Sequence, residues 1–231
     1  MIHYIKNKLL IKKLNSIFAK EAKANKVTYN RSKYYQAYDR INLKGARSVE
    51  ERLSFYNLSP YINSKSKILD IGSNAGFFVT ELSLSCGVCH GVEPNKYLNL
   101  AGETVATYLN TREKVEFFDE MFMDFKPTTK YDVIMSLAAF YTSDGRERSS
   151  AKEYFSKINN MLNKKGILVY ESTGYSRKHK EEENPFGYNS KKMMELAEKE
   201  IKALSFEILR KEEVQVGEDA FRALIIARKS K

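Results

Sequence analysis

Two carboxylates and two glycines, set around short apolar runs, are the residues here whose types and spacing suit chemistry. In KILDIGSNAGFFVTEL, residues 67–82, the β-forming Ile68, Leu69 and Ile71 surround Asp70 and lead into Gly72, Ser73, Asn74 and Gly76, after which a helix-compatible run begins at Phe77. A strand, a glycine turn and a helix in that order aim backbone N–H groups and one fixed negative charge at a polar ligand. Seventeen positions after Gly76, Glu93 closes a second apolar run, residues 88–92, and Pro94 turns the chain away. A carboxylate at that strand end reaches the paired hydroxyls of a ribose.

The spelling of the loop narrows the ligand. A dinucleotide loop needs G-x-G-x-x-G, but Gly72, Asn74 and Phe77 stand at those three places, and no Gly-Lys-Ser/Thr phosphate loop occurs. What remains, D-x-G-x-x-x-G, resembles motif I of class I S-adenosylmethionine-dependent methyltransferases, with Asn74 at the usual middle glycine. The resemblance runs from about residue 65 to the end of the chain. It implies S-adenosyl-L-methionine as cofactor, held at Asp70, Gly72, Ser73, Asn74, Gly76 and Phe77. It also implies Glu93 on the ribose, Pro94 in the turn after it, Asp119 near the adenine after a third strand (115–118), and Ser136 beside the cofactor after a fourth (131–135).

A sulfonium methyl is already activated, so such an enzyme must align an attacking atom and exclude water, and a hydroxyl acceptor gains from a general base. Glu171, at the end of a fifth strand (166–170), is the first candidate base, with His179 and Tyr141 next. No Asn-Pro-Pro-Tyr follows the fourth strand, where the chain reads Ser136, Leu137, Ala138, Ala139; this favours an oxygen acceptor over a planar amine. Arg177, in the polar segment 174–189, and Tyr34 and Arg40, upstream, are the candidate acceptor-binding residues.

The elements that must position these groups follow from periodicity. Alternating strands and helices predict an α/β doubly wound, mostly parallel sheet of seven strands, with helices over 77–85, 98–109, 149–162 and 190–204. Runs 206–216 and 221–228 predict a C-terminal antiparallel hairpin about Gly217, Glu218 and Asp219. Residues 1–60 form a basic helical leader or cap, and 61–231 the S-adenosylmethionine-binding methyltransferase domain. The leader carries thirteen Lys or Arg against four Asp or Glu, nearly all of the net charge of +10. Within it Ile2, Ile5, Leu9, Leu14, Ile17 and Phe18 suggest one helical face, and YYQAYDRI and SVEERLSFYNL suggest two short helices about Gly45. A basic amphipathic helix suits an anionic membrane surface, a nucleic acid or a packing partner.

Cys86 and Cys89 lack a second ligand pair, so no metal site is expected, and the absence of a disulfide framework fits a reducing compartment. No apolar run reaches the roughly 18 residues of a spanning helix, and the N-terminus lacks a signal-peptide core. A cytoplasmic protein, peripheral at most to the inner membrane face, is expected. YYQAYDRINLKGARSVEERL, LDIGSNAGFF and YEST with its polar loop are similar to methyltransferase domains of bacterial surface-polysaccharide pathways. That implies O-methylation of a sugar, glycan or related small-molecule acceptor. The alternatives are a tRNA-modifying methyltransferase, whose tyrosines and basic residues would meet RNA, and a non-catalytic cofactor-fold binding subunit.

Overall fold

The helix starts are written as side-chain caps. In the computed structural model, which describes residues 2–24, 34–140, 149–176, 190–215 and 220–230, α1 spans Ile2–Ala24, β1 Gln36–Ala37, β2 Arg47–Ser48 and α2 Val49–Tyr56. Ser48 Oγ accepts from the Glu51 amide at 3.1 Å and opens α2. Then come β3 (Lys67–Ile71), α3 (Phe77–Leu82), β4 (Val88–Val92), α4 (Lys96–Tyr108) and β5 (Val115–Phe118). Asn95 caps α4 by accepting from the Tyr97 amide at 3.1 Å. The chain continues through β6 (Tyr131–Leu137), α5 (Ala151–Met161), β7 (Leu162–Glu171), β8 (Tyr175–Ser176), α6 (Ser190–Ala203), β9 (Phe206–Gln215) and β10 (Ala220–Lys229). At α5, Ser150 and Glu153 form a reciprocal capping box.

The main sheet runs β5-β4-β3-β6-β7-β10-β8, and β9 pairs with β10. β4 with β5, β3 with β6 and β6 with β7 are parallel, whereas β10 is antiparallel to β7, β8 and β9. This is the expected mostly parallel α/β sheet with antiparallel C-terminal strands. β8 is an addition to the seven strands expected, made from the first residues of the polar segment.

By contacts the chain divides into two compact units, Met1–Lys67 with Ser73–Glu120, and Ile68–Gly72 with Met121–Lys231. In the first, α1 lies on α4 and buries Leu10, Leu14 and Ile17, each contributing about 1.5–3 kcal/mol of apolar burial. In the second, Ile134, Met135, Leu168, Val169, Leu224 and Ile225 are buried along the strands, and Tyr154, Phe155 and Ile158 of α5 are fully buried with them. Phe155 meets Tyr170 edge-on at 5.5 Å between ring centroids.

Three sequence expectations change. The inward face of α1 is Leu10, Leu14 and Ile17, while Ile5 and Leu9 are 51% and 62% exposed, because nine residues at about 100° each set Ile5 opposite Leu14. YYQAYDRI is not a helix. It forms β1 and a 3₁₀ turn, Asp39–Ile41, because Tyr38 and Leu43 exchange backbone hydrogen bonds of 2.8 and 3.0 Å and β1 pairs in parallel with β2. Gly45 permits this, since a Cβ there would lie 2.5 Å from the Gln36 carbonyl oxygen. β7 begins at Leu162, the last residue of the expected helix 149–162 and four residues before the expected strand start at 166. The turn at 217–219 lies outside the described residues.

Candidate cofactor site

The loop after β3 turns on three left-handed residues: Gly72 at φ 65°, Asn74 at φ 52° and Gly76 at φ 68°. Asparagine is among the few non-glycine residues that visit this region readily, which accounts for Asn74 at a position where the resembling motif carries glycine. Its Oδ1 also accepts from the Ala75 amide at 2.8 Å. The loop is tied to β4 by the Ser73 amide, which donates to the Val92 carbonyl at 3.2 Å, and the Gly76 amide closes the turn on the Ser73 carbonyl at 3.0 Å.

Glu93 follows directly on β4. Its Oε2 accepts from the Asn74 amide at 3.2 Å and its Oε1 from the Asn95 amide at 3.1 Å. A carboxylate has about four acceptor positions, so each oxygen keeps one for a further donor. Burial pushes the Glu93 carboxyl above its ordinary value; the two amides oppose that, and the charge of Glu21 adds to it. Ser73 Oγ is buried with no hydrogen-bond partner. These groups fit a ligand bearing adjacent hydroxyls and further polar atoms.

Sequence reasoning missed two residues of this unit. Asn99 donates through Nδ2 to the Glu93 carbonyl at 2.7 Å, to the Phe118 carbonyl at 3.3 Å and to Asp119 Oδ1 at 2.7 Å, joining the ends of β4 and β5. Glu21 of α1 accepts from Asn95 Nδ2 at 3.0 Å, fixing the side chain that caps α4. The only sequence signal for Asn99 was an asparagine one turn into a helix that follows a strand-end acid. Asp119 is exposed beyond its Asn99 contact, and Pro94 is exposed.

Phe117 of β5 sits opposite Gly91 of β4 and fills a hollow floored by three glycines. A Cβ at Gly91 would lie 2.6 Å from its Cδ1 and 2.7 Å from Ser73 Oγ, one at Gly102 would lie 2.5 Å from its Cζ, and one at Gly76 would collide with the same ring. Phe77 is fully buried and stacks on Tyr38 at 5.4 Å. Tyr38 donates to Glu81 Oε2 at 2.7 Å, and Arg40 grips both oxygens of Glu81 at 2.6 Å. Burial alone would raise the Glu81 carboxyl, but Arg40 and Tyr38 together hold it below its ordinary value. Arg40 therefore ties the leader to α3, and Tyr34 is buried beside Phe18 with ring centroids 5.0 Å apart.

In the second unit Asp70 is buried on β3. Ser136 Oγ shares a hydrogen bond with Tyr154 Oη at 2.9 Å. Past the end of β6, Ala138 takes φ 62°, and its amide donates to the Glu171 carbonyl at 2.7 Å. Glu171 is 4% exposed and accepts from Arg222 Nη1 at 2.7 Å. Tyr141, Arg177 and His179 lie outside the described residues. Cys86 and Cys89 are buried and form no disulfide, and no cluster able to hold a metal occurs among the described residues. No described helix is long and apolar enough to cross a membrane.

No protein-family model and no curated protein matches the chain. The fold is that of class I S-adenosylmethionine-dependent methyltransferases, as similarity to solved structures shows. The N-methyltransferase NodS from Bradyrhizobium japonicum WM9, in complex with S-adenosyl-L-homocysteine, is 15% identical with a TM-score of 0.60, over 78% of this chain and 85% of that one. Magnesium protoporphyrin IX methyltransferase from Synechocystis PCC 6803 with bound S-adenosylmethionine is 14% identical with a TM-score of 0.59, over 79% and 78%. The (4+2)-cyclase SpnF is 17% identical with a TM-score of 0.62, over 78% and 81%. At these identities the likeness is one of fold.

Proposed function

We propose that the chain is an S-adenosyl-L-methionine-dependent methyltransferase acting on a hydroxyl of a sugar, glycan or related small molecule. The observation that carries the first half is Glu93, held by two main-chain amides at the end of β4 with an acceptor position left on each oxygen. When bound, S-adenosyl-L-methionine supplies a methyl group on a sulfonium, already activated for transfer. Glu93 accepts from the ribose hydroxyls, the main chain at Gly72 and Gly76 admits the ligand closely, and Asp70, Ser73, Asp119 and Ser136 supply further polar contacts. Residues 61–231 form the cofactor domain and residues 1–60 its cap.

The acceptor half rests on the chain Ser136, Leu137, Ala138, Ala139 after β6, which offers no side-chain amide or proline pair to grip a planar amine. Glu171 is engaged by Arg222 at 2.7 Å, and His179 or Tyr141 is the proton acceptor we favour. Buried cysteines that form no disulfide accord with a cytoplasmic setting. Calorimetry with S-adenosyl-L-homocysteine tests the cofactor half: a folded protein that releases no heat and shows no affinity overturns it. Labelled-methyl transfer into separated glycan, lipid, RNA and small-molecule pools tests the acceptor half, and label confined to RNA would replace it with a tRNA-modifying activity.

A further inference from the structure

We infer that the outer face of α1 docks the protein on an anionic lipid surface. The helix is fixed to its own unit by Leu10, Leu14 and Ile17, so what it turns outward is set by the fold. That outward side carries all six lysines of α1, Lys6, Lys8, Lys12, Lys13, Lys20 and Lys23, every one exposed. Glu21, the helix's only acid, is half-buried and accepts from Asn95, leaving the outer face without a negative charge.

Among the same lysines sit exposed apolar groups. Tyr4, Ile5 and Leu9 are 63%, 51% and 62% exposed, three of the five exposed large apolar side chains among the described residues, gathered within two turns. Lysines alone would fit any polyanion. Aliphatic side chains among them separate the choices, because a phosphate backbone offers Ile5 and Leu9 no apolar partner whereas an acyl boundary does. Lys8 Nζ lies 4.5 Å from the centre of the Tyr4 ring, which keeps that amphipathic ring beside a cation, the arrangement suited to a headgroup layer. A surface of this kind binds reversibly, by several lysines and a shallow apolar contact, and does not span. It is independent of the methyltransferase reading, since no residue of the cofactor site takes part.

The test is flotation of the full chain with vesicles of mixed phosphatidylglycerol and phosphatidylcholine against pure phosphatidylcholine. Binding is expected only with the anionic mixture and is expected to fall as salt rises. The pair Lys12→Gln and Lys13→Gln should weaken it roughly five-fold per lysine. Ile5→Ser with Leu9→Ser, which leaves the charge intact, should weaken it by at least about tenfold. Both pairs change exposed positions, and far-UV circular dichroism establishes that they fold. Absence of binding to the anionic vesicles overturns the proposal. So does equal binding to neutral vesicles, tight salt-dependent RNA binding untouched by the Ile5 and Leu9 pair, or a dimer in light scattering that the same pair dissolves.

Discussion

The main-chain amide of Asn74 donates to Oε2 of Glu93 across 3.2 Å, so the carboxylate proposed to meet the cofactor also holds the shape of the glycine loop. Removing it affects both. Glu93→Ala is expected to lower affinity for S-adenosyl-L-homocysteine about 10- to 100-fold, the range for hydrogen bonds to a charged group, with the protein still folded. Calorimetry beside a thermal melt reads the two effects separately, and unchanged affinity would remove Glu93 from the site.

A pH dependence follows from the same residue. Burial raises the Glu93 carboxyl in the folded chain above its unfolded value, so between those two values the native state holds the extra proton. The ionised group therefore costs stability at neutral pH, and that cost disappears as pH falls through the folded value towards the unfolded one. Urea melts across this window should show Glu93→Gln with less gain in stability on acidification than the parent. Identical slopes would refute the assignment.

Asn74 gives a sharp comparison. At φ 52° an alanine carries the left-handed penalty of about 1–2 kcal/mol and loses the Oδ1 contact to Ala75, whereas glycine carries no such penalty. Both variants lose the Oδ1 contact, so Asn74→Gly should lower the denaturation midpoint slightly and Asn74→Ala should lower it further by the left-handed penalty. Equal effects would mean that the loop relaxes.

In the Glu171–Arg222 pair Glu171 is buried and Arg222 largely so, with side-chain exposures of 5% and 13%. Breaking such a pair by removing one partner costs about 3–5 kcal/mol, because the other charge is left uncompensated. Arg222→Met should therefore destabilise strongly, and Glu171→Met combined with Arg222→Met should recover much of the loss. If Glu171 also took the acceptor's proton, Glu171→Gln would abolish the acidic limb in the pH profile of methyl transfer. We expect that limb to survive.

Blocks of apolar residues bounded by turn formers made the sheet readable. β4 at Val88–Val92 and β5 at Val115–Phe118 fall where their sequences end in Glu93 and Asp119. Leader geometry was not readable, because the bridge between Tyr38 and Leu43 and the pairing of β1 with β2 are main-chain relations that side-chain periodicity does not encode. The α1 face was misread for a similar reason: Ile5 and Leu9 are apolar, but nothing local says that Leu10 is the one turned inward. Contacts of Glu21 with Asn95, and of Asn99 with Asp119, join residues far apart in sequence and carry no local pattern. Asn74, the odd letter in the loop, became intelligible once its backbone angle was known.

The ring of Phe117 makes Gly76, Gly91 and Gly102 a single heritable character spread over three positions. None of the three can acquire a side chain while that ring is in place, yet a smaller residue at 117 would release Gly102 outright, leaving Gly91 still facing Ser73 Oγ and Gly76 bound by its own backbone angle. Substitutions in this loop should thus drift in company with position 117. A library varying one glycine at a time would mistake a shared steric veto for three separate requirements of the ligand.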